Sequence, residues 1–147
     1  MPSFVAPITP HGGKLINQLQ IEGPAAVALY ERALVAPLVQ ISEVILSDLE
    51  LIAIGVVSPL TGFMDRSTYQ SVLEHMHLPD GLPWTIPITL PVSADVVNRL
   101  RLGQDVALAD PAGRIVGLLE LSDVFSYDKT AEAEAVYRTT DDKHPGV

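Results

Sequence analysis

The sequence predicts a single α+β domain, helical in its first half and built of short strands in its second. Three observations predict it. The chain has 147 residues, about one domain's worth and enough to bury a core of its own. Apolar residues recur at helical spacing before Leu78, as in Tyr69, Val72, Leu73 and Met76. Beyond Leu78 the period falls to two: Ile86, Ile88, Leu90 and Val92 alternate with Thr85, Pro87, Thr89 and Pro91.

The elements follow in order. Pro2, Pro7 and Pro10 and the string Pro10-His11-Gly12-Gly13 make residues 1 to 13 an irregular arm, because each proline fixes its own backbone and pushes its predecessor toward extended conformations. A first helix is predicted from Gly23 to Leu34, with Pro24 tolerated in its first turn and Pro37 ending it. Leu38 to Ile41 can form a short strand. Ser47-Asp48-Leu49-Glu50 reads as a capping box, Ser47 serving free amides and Glu50 bonding back. Leu49, Ile52 and Val56 would then share a helix face, and Ser58-Pro59-Leu60-Thr61-Gly62 would stop the helix. A third helix is predicted from Arg66 to His75. Pro79-Asp80-Gly81 is a turn.

Two prolines on one face make Thr85 to Val92 an edge strand or a barrel closure. Ser93 can cap a short helix through Leu100. Val106 to Ala109 and Arg114 to Leu119 flank Asp110-Pro111-Ala112-Gly113, a hairpin loop with proline early and glycine late. Val124 to Tyr127 can add another short strand, and Asp128 can cap a last helix from Lys129 to Tyr137.

Composition narrows the function classes. Nine basic residues against eighteen acidic ones give a net charge of −9, the wrong sign for neutralising phosphates along a nucleic acid. With 48% hydrophobic residues the chain is too apolar for a disordered tail. Only 18% of residues are charged, where about 25% is usual, so part of the surface is expected to be apolar. The uncharged run Leu51 to Met64 is interrupted by Gly55, Ser58, Pro59, Thr61 and Gly62, and it is shorter than the roughly 20 apolar residues of a spanning helix. No basic, apolar leader opens the sequence, which reads as cytoplasmic. The absence of cysteine excludes disulfides, thiolate metal sites and cysteine nucleophiles.

No active site assembles from the remaining residues. His75 and His77 point about 200° apart on a helix, while His11 and His144 stand alone in Pro/Gly-rich loops. Pro10-His11-Gly12-Gly13 offers exposed amides but not the spacing of a phosphate loop. Ser58 and Ser71 have no nucleophile elbow around them. Asp48, Glu50, Asp65 and Asp128 sit where helix starts use acidic groups, and Asp141-Asp142 is a solvated pair in a charged tail.

Several strings nevertheless occur together and in order: Pro10-His11-Gly12-Gly13; Asp48-Leu49-Glu50-Leu51-Ile52-Ala53-Ile54-Gly55; Ser58-Pro59-Leu60-Thr61-Gly62-Phe63-Met64; Trp84 before Ile86-Pro87-Ile88-Thr89-Leu90; Asp128-Lys129; and Thr139-Thr140-Asp141 with His144-Pro145-Gly146-Val147. Over nearly the whole chain this resembles the N-terminal region of the sulfate adenylyltransferase (ATP sulfurylase) family. Ser58 to Met64 and His144 to Val147 are its most specific strings. The departures are Val56-Val57, where alanine and an aromatic are expected, and Arg138, where glycine is expected, putting bulk into a turn that calls for flexibility.

The resemblance implies a PUA-like pseudo-barrel with flanking helices over residues 1–138, and over residues 139–147 the start of a linker to a catalytic domain. The family reaction joins ATP and sulfate into adenylyl sulfate and pyrophosphate with magnesium. Its implied machinery, a Q-x-R-N motif, an H-x-x-H motif and a G-R-D loop, lies in the catalytic domain. Here Gly113-Arg114-Ile115 is not G-R-D, no H-x-x-H occurs, and Asn17 and Asn98 are not in Q-x-R-N. The chain is therefore expected to carry no catalytic, cofactor-binding or metal residue of its own, ATP and magnesium belonging to the parent enzyme. His11, Gly12 and Gly13, Ser58 through Met64 (Pro59, Leu60, Thr61, Gly62 and Phe63 between them), and His144, Pro145 and Gly146 are carried over as family-motif and interface residues.

The implied function is that of an accessory or scaffold domain whose partners are the catalytic domain of the same chain and, in a homo-oligomer, neighbouring subunits. The Leu51 to Met64 region and the N-terminal arm would supply the contacts; the simpler reading of Ser58 to Met64 is a buried helix-stop turn with Gly62 in the tight position. An independent PUA-like module binding RNA or protein is the alternative. Against RNA, Arg99 and Arg101 are the only close basic pair and Trp84 is the only tryptophan. A free-standing enzyme of another class is least supported.

Overall fold

The computed structural model describes residues 8–147. After a short turn at His11–Gly13 come α1 (Gly23–Val35), β1 (Leu38–Gln40), α2 (Glu43–Ala53), α3 (Arg66–His75), α4 (Ala94–Val97), β2 (Asp105–Ala109), β3 (Ile115–Glu120) and α5 (Lys129–Tyr137). This is the α+β composition expected.

The sheet has the order β1-β2-β3. β1 runs parallel to β2, with Val39 opposite Leu108, and β2 runs antiparallel to β3, with a register shift at Leu108/Ala109. The Asp110 to Gly113 turn closes the hairpin as predicted. Asp110 is buried, and its carboxylate accepts from the main-chain amide of Arg114 at 2.9 Å and from the guanidinium Nε at 2.7 Å. Those bonds, the amide's first, hold the Asp110 carboxyl below the usual aspartate range against the opposing effect of burial. α1 packs on β2 and β3, where Arg32 reaches both Asp105 and Glu120 at 2.8 Å.

Two apolar clusters form the core. Val39, Ile41, Ile45, Val106, Leu108 and Leu121 join the sheet to α2. Leu60, Met64, Tyr69, Val72 and Leu78 surround α3, with Trp84, Ile88 and Phe125 packed against them.

α3 and α5 begin and end where the sequence placed them. Asp65 accepts from Thr68 N at 2.8 Å, and Asp128 from Thr130 N at 2.8 Å and Ala131 N at 3.2 Å, so both starts are side-chain capped. The start of α2 is different. Its cap is Ser42, whose hydroxyl accepts from Ile45 N at 3.3 Å, five residues before the expected Ser47. Ser47 lies inside the helix and donates to Glu43 O at 3.2 Å, so the predicted capping box does not form. α2 ends at Ala53, which puts Val56 beyond it, 63% exposed and off the apolar face assigned to it.

Neither expected strand over residues 85–92 and 124–127 forms. The first is tied to the fold through Met64 N donating to Ile88 O at 2.8 Å, and Pro87 and Pro91 have no N–H to offer a ladder. The pseudo-barrel expectation is corrected accordingly: the sheet has three strands and is not closed. The Ser93 helix is also shorter than expected, continuing past Val97 only as turns to Leu100.

The cap assignment makes a clear prediction. Ser42→Ala should cost about 1 kcal/mol of stability and Ser47→Ala only a small fraction of that, measured by urea denaturation of the two variants side by side.

Candidate functional site

The family-motif residues from the two ends of the chain's first half meet in space. Ser58 is the hub. It is buried, accepts from Ile16 N at 2.9 Å and donates to Gly55 O at 2.6 Å. Next to it Ala53 O accepts from both Gln18 N at 2.8 Å and Leu19 N at 3.0 Å, and the Gln18 amide donates to Thr61 O. The stretch from Ile16 to Leu19 is thereby strapped across the C-terminal end of α2, meeting the Ala53 carbonyl that the helix end leaves without a partner.

Gly55 makes the close approach possible. Its φ is +83°, and a Cβ there would stand 2.5 Å from Ile16 O, so both the backbone conformation and the space demand glycine.

The His11–Gly13 turn docks on the same loop. A Cβ on Gly12 would lie 3.2 Å from Pro59 Cγ and from Leu82 Cδ2. His11 Nε2 is 2.8 Å from Pro83 O, and its ring lies 5.9 Å from that of Trp84. Trp84 is fixed in turn, its Nε1 donating to Ile86 O at 2.8 Å.

Within Ser58 to Met64 most of the string faces inward. Ser58, Leu60 and Met64 are buried, Phe63 packs against the sheet cluster, and Thr61 is exposed. The buried-turn reading fits this arrangement, with one correction: Gly62 has open space where a Cβ would be, and the tight glycine is Gly55. The exposed apolar surface expected for the region sits at its start, at Leu51, Ile54 and Val56, and continues onto the strap through Leu15, Leu19 and Ile21. The sequence reading missed the exposed row Val27, Tyr30 and Leu34 on α1, whose helical spacing was visible.

His144, Pro145 and Gly146 form a separate feature. The chain turns back after α5, so that the His144 ring lies 5.1 Å from Tyr137 and Gly146 N donates to His144 Nδ1 at 3.2 Å. Among the described residues no hydrogen bond joins this turn to the Ser58 hub. Arg138, where glycine was expected, caps α5 in the left-handed region with φ 57°.

For chemistry the arrangement offers little. Among the described residues no group of three or more His, Asp or Glu side chains could hold a metal ion. A groove of about 430 Å³ runs between the two clusters, lined by Phe63, Tyr69, Leu90, Leu121 and Phe125. Its acidic members are already engaged, Asp65 with Thr68 N, Glu120 with Arg32 at 2.8 Å and Asp123 with Arg66 N at 2.9 Å. Tyr69 is pushed above the usual phenol range, first by burial and then by the nearby Glu132 carboxylate. No helix is long and apolar enough to cross a membrane among the described residues.

This open-sheet α+β unit with its strapped helix has a recognisable family. Residues 8–147 match the family described as PUA-like domain, and the chain belongs to it. It is 55% identical over 140 residues to the sulfate adenylyltransferase of Synechococcus sp. (strain JA-3-3Ab), an alignment covering 95% of this chain and 35% of that protein. It is 49% identical over 140 residues to the probable bifunctional SAT/APS kinase 2 of Sorangium cellulosum (strain So ce56), covering 95% of this chain and 24% of that one. Among solved structures it resembles the hexameric APS kinase from Thiobacillus denitrificans, with a TM-score of 0.74 and 35% identity over 83% of this chain and 24% of that chain. The chain thus spans about a third or less of the length of these relatives.

Two expected outcomes follow from the geometry. Gly55→Ala should lose about 1–3 kcal/mol, from the left-handed backbone and displacement of Ile16; thermal melting checks it, and an unchanged midpoint would contradict the strap. Arg138→Gly should gain about 1 kcal/mol by relieving the left-handed cap, seen as a raised melting temperature.

Proposed function

We propose that this chain is the accessory and scaffold domain at the N-terminal end of a sulfate adenylyltransferase, whose whole enzyme makes adenylyl sulfate and pyrophosphate from ATP and sulfate. The observation that carries the reading is the match over 95% of the chain to sulfate adenylyltransferases of which it spans about a third. In this reading residues 1–138 are the domain and residues 139–147 lead toward a catalytic domain of the same polypeptide, in the cytoplasm. That domain is the first partner, and further subunits are a second; the hexameric assembly named for the structural relative supports considering them. ATP and magnesium bind in the catalytic domain.

A physical argument supports the division of labour. Displacement at phosphorus requires positive charge placed on the spreading negative charge of the transition state. This chain has net charge −9, and Arg32 and Arg114 are already bonded to carboxylates. The purified 147-residue chain, given ATP, sulfate and magnesium, is expected to release no pyrophosphate above a protein-free control. Sustained turnover would overturn the reading.

A further inference from the structure

Most aspartates on the helices and sheet have a partner. Asp65 and Asp128 cap helices, Asp105 and Asp110 pair with arginines, and Asp123 accepts from Arg66 N. Asp48, inside α2, has no hydrogen bond or ion pair from its carboxylate among the described residues. It borders a cleft of about 510 Å³ whose other walls include Pro83, Trp84, Ile86, Pro87 and Ile88, and it is the one ionisable side chain there. Loss of hydration, with nothing in exchange, pushes the Asp48 carboxyl upward.

The walls are rigid. Two prolines fix the backbone, and the Trp84 indole is held by its bond to Ile86 O and by the His11 ring beside it. Around the cleft stand exposed apolar side chains: Ile86 at 52%, and on α2 Val44 at 71% and Leu51 at 37%, four residues before and three after Asp48 and so on its face.

Charge and shape select the guest. An anion is repelled. A divalent cation would find one carboxylate among hydrocarbon walls, where it needs six or more oxygens. A purely apolar segment would bury the carboxylate with no partner. A guanidinium meets each requirement: it bonds a carboxylate through two parallel N–H groups, stacks on an indole face, and sheds water more readily than an ammonium. We propose that the Asp48–Trp84 cleft receives an arginine side chain from a protein partner, with the apolar residues flanking that arginine resting on Val44, Leu51 and Ile86. The proposal stands independently of the parent reaction.

Trp84 is the only tryptophan in the chain, so its fluorescence reports this cleft directly. The 147-residue chain is titrated with the capped tripeptide Leu-Arg-Leu and with the same peptide carrying neutral citrulline in place of arginine. A saturable change in emission is expected with the arginine peptide, weakened roughly tenfold or more by citrulline and by Asp48→Asn. That variant removes an unpaired charge, so it should keep its melting temperature. A concentration-dependent emission change in the chain alone, abolished by Asp48→Asn, would support the proposal with a second copy supplying the arginine. No saturable change with the arginine peptide, equal binding of the citrulline peptide, or undiminished binding by a folded Asp48→Asn protein would each overturn it.

Discussion

Burial of β2 is the constraint on which the rest of the architecture depends. Val106 through Ala109 are almost wholly inaccessible, because β1 and β3 take their main-chain groups on either edge and α1 covers the strand. Such a strand is bounded by apolar side chains on both faces, and Val106-Ala107-Leu108-Ala109 is apolar throughout rather than alternating. The charged ends are handled at the margins: Asp105 is bonded by Arg32, and Asp110 is bonded within the hairpin turn.

What could be read from the sequence was what neighbouring residues decide among themselves. The starts of α3 and α5 depend on Asp65 and Asp128 bonding amides two or three residues on, and the hairpin depends on a proline and a glycine within one loop. The start of α2 depends on more distant chain. Ser42 and Ser47 both precede helical spacing and an acidic residue, and the choice falls to Ser42 because β1 ends at Gln40 and Ile41 N bonds to Ala109 O at 2.8 Å. Similarly, alternation over Thr85 to Val92 marks extended chain but cannot say whether a partner strand exists. The cluster around Tyr69 takes Ile88 and Phe125 as packing residues, and no ladder is needed to hold them.

The candidate sites divide in the same way. The family strings were legible as strings, but the contacts that hold them in place link residues 42 to 72 positions apart, and nothing local encodes that meeting. Asp48 was read as an ordinary acidic residue of a helix start, which is correct only if the helix begins at Ser47. Moving the start to Ser42 places Asp48 in the helix interior and removes that explanation for its charge. The position of one serine cap thus changes how an aspartate six residues later is understood.

The parallel pairing of β1 with β2 also governs the order of events as the chain folds. Leu38 and Ala107 are partners, so α2, α3 and α4 all lie inside the loop which that pairing closes. Closing so long a loop is entropically expensive, and the cost falls once the intervening helices have compacted it. The β2–β3 hairpin closes over a few residues and can form at once. The nascent chain must therefore hold β1 unpaired until residues beyond Ala109 have been synthesised, and the neighbouring apolar face of α1 spends that interval without its sheet.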